Sequence, residues 1–323
     1  VSAVRVSPEV AAAVADGRPV VALESTVFSR LGLPGPAGAE ALRRALTAVR
    51  EGGAVAALTV VLDGEARIGV DDGELPRVLA ADRKAAERDL AVAVAQRWPA
   101  AATTVSASLA LAAAAGVTVF ATGGIGGVHR DWAVTGDESA DLEALARHPV
   151  VTVCAGVKAF LDVRRTLERL ETLGVPVIGV GTEDGGFPAF WSRQSGLIAP
   201  HSVHSPGEAA EVVGAARGLG RRGGVLVVTP VPRGSEVPAD ELAPVIDAAL
   251  AEAAGAGVTG GAVTPFVLDR VAVATRGRTV TANVALVEHN AAVAAALAGA
   301  LAAAAQPTGN AGSSPDGRSQ MRT

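Results

Sequence analysis

Apolar and polar positions follow two rhythms along this chain. Short runs dominated by valine, alanine, leucine and isoleucine occur at residues 19–23, 54–62, 117–121, 150–153, 175–180 and 223–229. Their length and β-branched content predict buried strands. Between them lie stretches of helical period, at residues 7–15, 37–51, 82–97, 206–218, 240–254, onward from 264, and 291–305. Ser7 and Pro8 supply a cap and a first turn for the first of these. Asp63-Gly64 marks a hairpin leading to a strand at 66–70. A further helix is expected to begin at Lys158, with Leu161, Leu167, Leu170 and Leu173 apolar and Gly174 and Pro176 ending it. Strands that alternate with helices predict an α/β fold, a three-layer α/β/α sandwich with a mainly parallel central sheet.

No linker or solenoid repeat interrupts residues 1–305, which read as one domain. Residues 306–323, rich in Gly, Ser, Pro, Asn and Arg, read as a disordered tail. The 323 residues are 49% hydrophobic with mean hydropathy +0.35, enough for a sizeable core. Aromatic residues make up 3% and tyrosine is absent, so a base-stacking platform for nucleic acid is not expected. The formal charge of −5 argues against a polyanion-binding surface but leaves room for a local phosphate pocket. A single cysteine, Cys154, excludes an intrachain disulfide and a cysteine metal cluster, and a cytoplasmic protein fits best. Arg5, Glu9 and Asp16 interrupt residues 1–20, which do not resemble a secretory signal. No membrane span is expected: glycines break residues 107–128, and residues 291–305 are short and alanine-rich.

Candidate chemistry sits where strands end. Lys158 follows a buried strand between Val157 and Phe160. At the expected helix start, desolvation and the positive end of the helix dipole would both favour its neutral, nucleophilic amine; the alternative is a lysine whose stem snorkels to water. Glu24-Ser25-Thr26 ends another strand, at the edge where open α/β sheets bind ligands, with a turn or helix cap as the alternative. Residues 122–130 place glycine-rich backbone directly after a strand, the construction of an anion cradle. They fit neither a dinucleotide fingerprint nor a Walker loop, because His129 stands where a third glycine is needed and no Gly-Lys-Ser/Thr follows. Asp137 and Asp141, with Ser139 between them, suit a hard divalent cation, or else a helix cap with acids in its first turn. Residues 103–106 read as phosphate donors or ordinary caps. Lys84, Arg88 and Asp89 read by default as a solvated helix face.

These motifs together carry a resemblance. Residues 22–26 (ALEST), 120–130 (FATGGIGGVHR), 139–142 (SADL), 155–158 (AGVK), 170–179 (LETLGVPVIG), 187–190 (FPAF) and 264–266 (TPF), in this order, resemble the pseudouridine-5′-phosphate glycosidases over nearly the whole chain, to about residue 300. The resemblance implies an α/β/α sandwich assembled as a homotrimer. It implies reversible cleavage of the C–C glycosidic bond of pseudouridine 5′-phosphate to uracil and ribose 5-phosphate. Lys158 falls on the nucleophile that forms an imine with C1′ of the ring-opened sugar, and Glu24 on the proton donor. Asp137 falls on a Mn2+ ligand position, which Mg2+ also suits. Lys84, Val105, Ser139, Ala140 and Asp141 fall on substrate-binding positions, and Asn283 on an asparagine facing the base. The implied partners are a small nucleotide or sugar phosphate, with no nucleic acid polymer and no membrane. The chemistry is coherent: a C–C bond to the sugar has no heteroatom leaving group, so an imine supplies the electron sink and a carboxylic acid moves the proton at the base carbon.

Several positions depart from the family pattern. Glu87 stands where a basic residue is usual, and Ala37-Gly38, His204, Arg233 and His289 replace other expected residues. The departures raise a second expectation, a C-ribosyl synthase that joins ribose 5-phosphate to a non-uracil aromatic or heterocyclic acceptor. A non-catalytic sugar-phosphate-binding protein is a third, opposed by the joint presence of Lys158, Glu24 and Asp137.

Overall fold

The computed structural model describes residues 4–305, so the expected tail at 306–323 lies outside the described residues. Among the described residues the sheet has eleven strands: β1 (Val4–Val6), β2 (Val20–Leu23), β3 (Val55–Leu62), β4 (Glu65–Ile68), β5 (Lys84–Ala85), β6 (Ala100–Thr103), β7 (Val119–Ala121), β8 (Val151–Cys154), β9 (Val177–Val180), β10 (His201–Val203) and β11 (Val225–Val228). β3, β2, β7, β8, β11, β9 and β10 lie side by side and all parallel. The register pairs Val20 with Val55, Ala22 with Phe120, Val119 with Val151 and Val228 with Cys154. β2, β8, β9 and β11 are buried at every position. That explains their continuous apolar runs, since a parallel sheet is covered on both faces.

β3 is long enough to serve two pairings. Its first half continues the parallel sheet. Its second half pairs antiparallel with β4, through the turn at Asp63-Gly64, and with β6. β1 and β5 extend this smaller antiparallel wing in parallel to β4 and β6. The result is the three-layer sandwich expected, with a mixed but mostly parallel sheet.

One helical layer is built on Arg278–Ala305, which packs against the helices Pro36–Glu51 and Pro206–Gly218 and under β2, β7 and β8. By length and composition this helix could cross a membrane, yet half of its most apolar window is buried inside the chain. The other layer includes Val105–Ala114, Ala140–Arg147 and Val163–Thr172. The Pro206–Gly218 helix has the bounds its pattern predicts, capped by Ser205.

Two expectations are corrected. The helix expected at 82–97 begins only at Glu87, and Lys84 lies on β5, paired with Ala102. The helix expected from Lys158 begins at Val163, where the Asp162 side chain accepts from the Arg165 N–H. A side chain that satisfies an orphan N–H defines the start more sharply than apolar spacing does.

The topology also marks a place for a ligand. From β2 the chain crosses to β3 on one side; from β7 it crosses to β8 on the other. β2 and β7 are neighbours, so their C-terminal ends flank a topological switch point, where loops diverge and leave a crevice.

Candidate active site

Glu24 directly follows β2 at that crevice and is buried, 6% exposed. Its footing is rigid. Thr59 Oγ1 donates to the Leu23 carbonyl at 3.0 Å, and the hydroxyls of Ser25, Thr59, Thr103 and Ser108 form one buried network linking β2, β3, β6 and the Val105–Ala114 helix. Thr122, the first residue after β7, donates its hydroxyl to Glu24 Oε1. Burial raises the Glu24 carboxyl to about 7; the Lys158 charge and the Thr122 hydrogen bond pull it down, and Asp141 pushes it up. Desolvation wins because a carboxylate loses more from leaving water than one hydrogen bond returns.

Lys158 lines the same crevice. Its backbone is a continuation of β8 zipped to the glycine-rich loop that continues β7: Ile125 N donates to Gly156 O at 3.0 Å, and Lys158 N to Ile125 O at 3.1 Å. No helix starts at Lys158, so the helix dipole expected from the sequence does not act there. Its amine makes no side-chain hydrogen bond among the described residues. The nearby Cys154 is not a competing nucleophile, since burial pushes its thiol up to about 12.

Two compartments meet at Glu24 and Lys158. The polar one, about 510 Å³, is also lined by Lys84, Arg88, Val105, Ser106, Gly126, His129, Asp137, Ser139, Ala140, Asp141 and Leu161. The first residues of the helices Val105–Ala114 and Ala140–Arg147 both border it, beside the Lys84 and Arg88 cations, an arrangement that would suit a phosphate. Lys84 Nζ donates to Gly261 O at 2.9 Å, and partial desolvation, followed by the positive charge of Lys158, holds its pKa below the ordinary lysine value. Ser139 is the N-cap of its helix, accepting from Asp141 N. Both carboxylate oxygens of Asp141 are engaged by backbone, accepting from Ser106 N at 3.1 Å and Gly126 N at 2.9 Å. Gly126 permits this approach, because a Cβ there would lie 2.3 Å from Ser139 Oγ.

Asp137 lies on the polar wall, half-exposed, with His129 Nε2 at 3.8 Å from its carboxylate. Among the described residues no group of three or more His, Cys, Asp and Glu side chains forms a metal cage. One carboxylate facing an open polar cavity is the donor set of a hydrated Mn2+ or Mg2+, which draws its remaining ligands from water and substrate oxygens.

The second compartment, about 210 Å³, is mainly apolar, lined by Val27, Leu33, Phe190, Leu268, Val280 and Asn283 among others. Asn283 projects from the Arg278–Ala305 helix, and Trp191 Nε1 donates to its Oδ1 at 2.9 Å. Arg30 and Asp269 are the charged groups at this wall besides Glu24 and Lys158.

All nine residues singled out in sequence line one compartment or the other. The departures do not. Glu87 is bonded to Arg147 at 2.7 Å and His148 at 3.1 Å and does not line the compartment that Lys84 lines. Arg233 pairs with Glu183, His204 N donates to Glu208, and His289 Nε2 meets Thr229 Oγ1. Sequence reasoning missed Thr122, whose position at a strand end beside a cradle was its one signal. Arg88, read as a solvated charge, also belongs to the polar wall. Asn290 was missed as well: it is fully buried, and its amide N–H group donates to the carbonyls of Thr122 and Gly123.

The family model described as indigoidine synthase A like protein matches residues 9–300. The pseudouridine-5′-phosphate glycosidase of Streptomyces griseus is 50% identical over 304 residues, covering 92% of this chain and 91% of that protein. The enzyme of the same description from Deinococcus radiodurans is 49% identical over 294 residues, covering 90% and 92%. Among solved structures, the prealnumycin C-glycosynthase in complex with ribulose 5-phosphate matches with a TM-score of 0.84 at 34% identity, covering 93% of this chain and 97% of that one.

Proposed function

The chain belongs to the pseudouridine-5′-phosphate glycosidase and indigoidine synthase A-like family, and from that premise we propose that it reversibly cleaves pseudouridine 5′-phosphate to uracil and ribose 5-phosphate. The observation that carries the reading is the meeting of Glu24 and Lys158 between a compartment lined by charged side chains, Lys84 and Arg88 among them, and a mainly apolar one. A sugar phosphate needs the first and a planar base the second.

In this reading the phosphate lies by Lys84, Arg88 and the two helix starts, which puts C1′ near Lys158. Lys158 Nζ bonds to C1′ as the C1′–O4′ bond breaks, and the proton that the nitrogen sheds goes to O4′, which becomes the sugar hydroxyl. The nitrogen lone pair then expels the base: the C1′–C5 pair of electrons goes to C5, which takes a proton from Glu24, and a lysine iminium remains. Water returns ribose 5-phosphate and the free amine. A carboxyl raised to about 7 is protonated often enough near neutrality to serve as the acid, and in synthesis the same group serves as the base. Asp137, beside His129, would hold a Mn2+ or Mg2+ ion, which supplies positive charge against sugar and phosphate oxygens. Lys84, Val105, Ser139, Ala140 and Asp141 shape the sugar-phosphate end, and Asn283 contacts the base. A cytoplasmic homotrimer completes the proposal, with light scattering of the purified protein checking its assembly.

The test is incubation with pseudouridine 5′-phosphate and Mn2+, following uracil and ribose 5-phosphate by chromatography. Release of both, abolished in Lys158→Ala, is expected. A second reading, C-ribosylation of a non-uracil acceptor, draws support from the similarity to the prealnumycin C-glycosynthase. It predicts a borohydride-trapped ribose 5-phosphate adduct on Lys158 without uracil turnover. The location of the departures outside both compartments favours the first reading.

A further inference from the structure

We propose that Trp191 is a positioning residue for base recognition: it fixes the Asn283 amide so that only its N–H group faces the bound base, which must present a carbonyl oxygen there. This rests on the reading above and deepens it.

An indole nitrogen can only donate, whereas an amide has one accepting and one donating end. Trp191 Nε1 lies 2.9 Å from the end of the Asn283 amide, so that end is the oxygen, and the nitrogen is the other. Trp191 is fully buried and Asn283 is 8% exposed. Turning the amide over would set two donors against each other in a dry place and leave the oxygen without a partner, a costly arrangement. The orientation is therefore locked without contact from the ligand.

The locked amide has one free function. Asn283 Nδ2 donates to nothing among the described residues, and it is not among the buried unpaired atoms. It has access to water, and the opening that Asn283 lines is the apolar compartment. A ligand there meets an N–H donor.

Trp191 is itself held firmly. Its carbonyl accepts from Val237 N at 2.9 Å, and the neighbouring Ser192 hydroxyl donates to Val237 O at 2.6 Å. Phe190 N donates to Ala155 O at 2.9 Å, tying the segment to the end of β8, three residues before Lys158 in the chain. Phe190 adopts a φ of +63° and lines the compartment, its ring 5.0 Å from that of Trp191. A non-glycine residue in this region is strained and persists where its surroundings over-determine it. One short aromatic segment thus provides a wall for the base through Phe190 and sets the polarity of its reader through Trp191.

The experiment runs the reaction in the direction of synthesis, with uracil and ribose 5-phosphate, and measures uracil binding by equilibrium dialysis in parallel. Trp191→Phe keeps an aromatic ring and deletes the donor. It is expected to raise KM and Kd for uracil ~10-fold, the worth of one hydrogen bond, with KM for ribose 5-phosphate unchanged. Asn283→Asp, which replaces the donor by an acceptor, is expected to raise the uracil constants ~100-fold. With the unaltered enzyme, one of 2-thiouracil and 4-thiouracil should bind ~10-fold more weakly than uracil, because sulfur is a poor acceptor; this arm needs no variant to fold. Uracil constants unchanged in folded Trp191→Phe, a parallel rise in both substrates' KM, or equal binding of uracil and both thio analogues would each overturn the inference. Absence of uracil turnover with intact, Trp191-dependent uracil binding would overturn the function and leave the inference standing. Absence of both overturns both.

Discussion

Thr122 donates its hydroxyl to Glu24 across the neighbouring ends of β7 and β2, at the switch point of the sheet. The two residues are far apart in sequence, yet each follows its strand directly. Burial favours the acid, while the Lys158 charge and then this hydrogen bond favour the carboxylate, and the balance falls near 7.

That balance predicts the pH profile. In the cleavage direction Glu24 must carry a proton, so kcat/KM should fall as pH rises through about 7. In the synthesis direction it must accept one, so activity should fall as pH drops through the same value. Rates measured in both directions should show limbs of opposite sign, and Glu24→Gln should remove both with a loss of ~10²–10⁴-fold.

Thr122→Val keeps the shape and deletes the donor. The carboxylate loses its partner, so the Glu24 pKa should rise further, moving the alkaline limb of cleavage upward by ~1 unit, the equivalent of one hydrogen bond. An unmoved limb would mean that Thr122 has only a packing role.

Glu24 should also cost stability. Its carboxyl is raised in the folded state, so between the ordinary glutamate value of 4.5 and about 7 the folded chain binds more protons than the unfolded one. Stability then falls as pH rises through that window and stays reduced above it. Glu24→Gln removes the penalty, and denaturant melts should show it gaining ~3 kcal/mol over the parent at pH 8 and little at pH 4.

Gly156 turns the chain between β8 and Lys158 with a φ of +90°, and a Cβ there would lie 2.4 Å from the Pro188 carbonyl oxygen. Gly156→Ala must shift either the lysine segment or the Phe187–Phe190 segment. A loss of ~1–3 kcal/mol in stability, with reduced imine trapping on Lys158, is the expected outcome.

The metal proposed at Asp137 predicts a metal-dependent rate. A chelator should reduce turnover and added Mn2+ restore it. Asp137→Ala should need more Mn2+ for half-maximal rate, a displacement that metal titrations of activity and of intrinsic fluorescence would both register.

The sequence by itself determined the layers. Strands buried on both faces are mostly apolar, so β2, β8, β9 and β11 stand out as continuous runs, and the helical period at 206–218 gives that helix its bounds. The motifs around Glu24 and Lys158 were legible for the same local reason: each residue follows a recognisable apolar strand run. What only the tertiary structure decided depends on pairing between distant segments. β5 is two residues long, and its place is set by β6 rather than by its own pattern. Asp141 reads as a metal ligand until the backbone of Ser106 and Gly126 is brought to it. Lys158 reads as a helix start until Asp162 takes the cap. Glu87 reads as an intrusion on Lys84 until Arg147 and His148 bond it. Periodicity along a chain reports which face of an element is dry; it carries no information about which remote donor completes a carboxylate, and that choice belongs to the folded sheet.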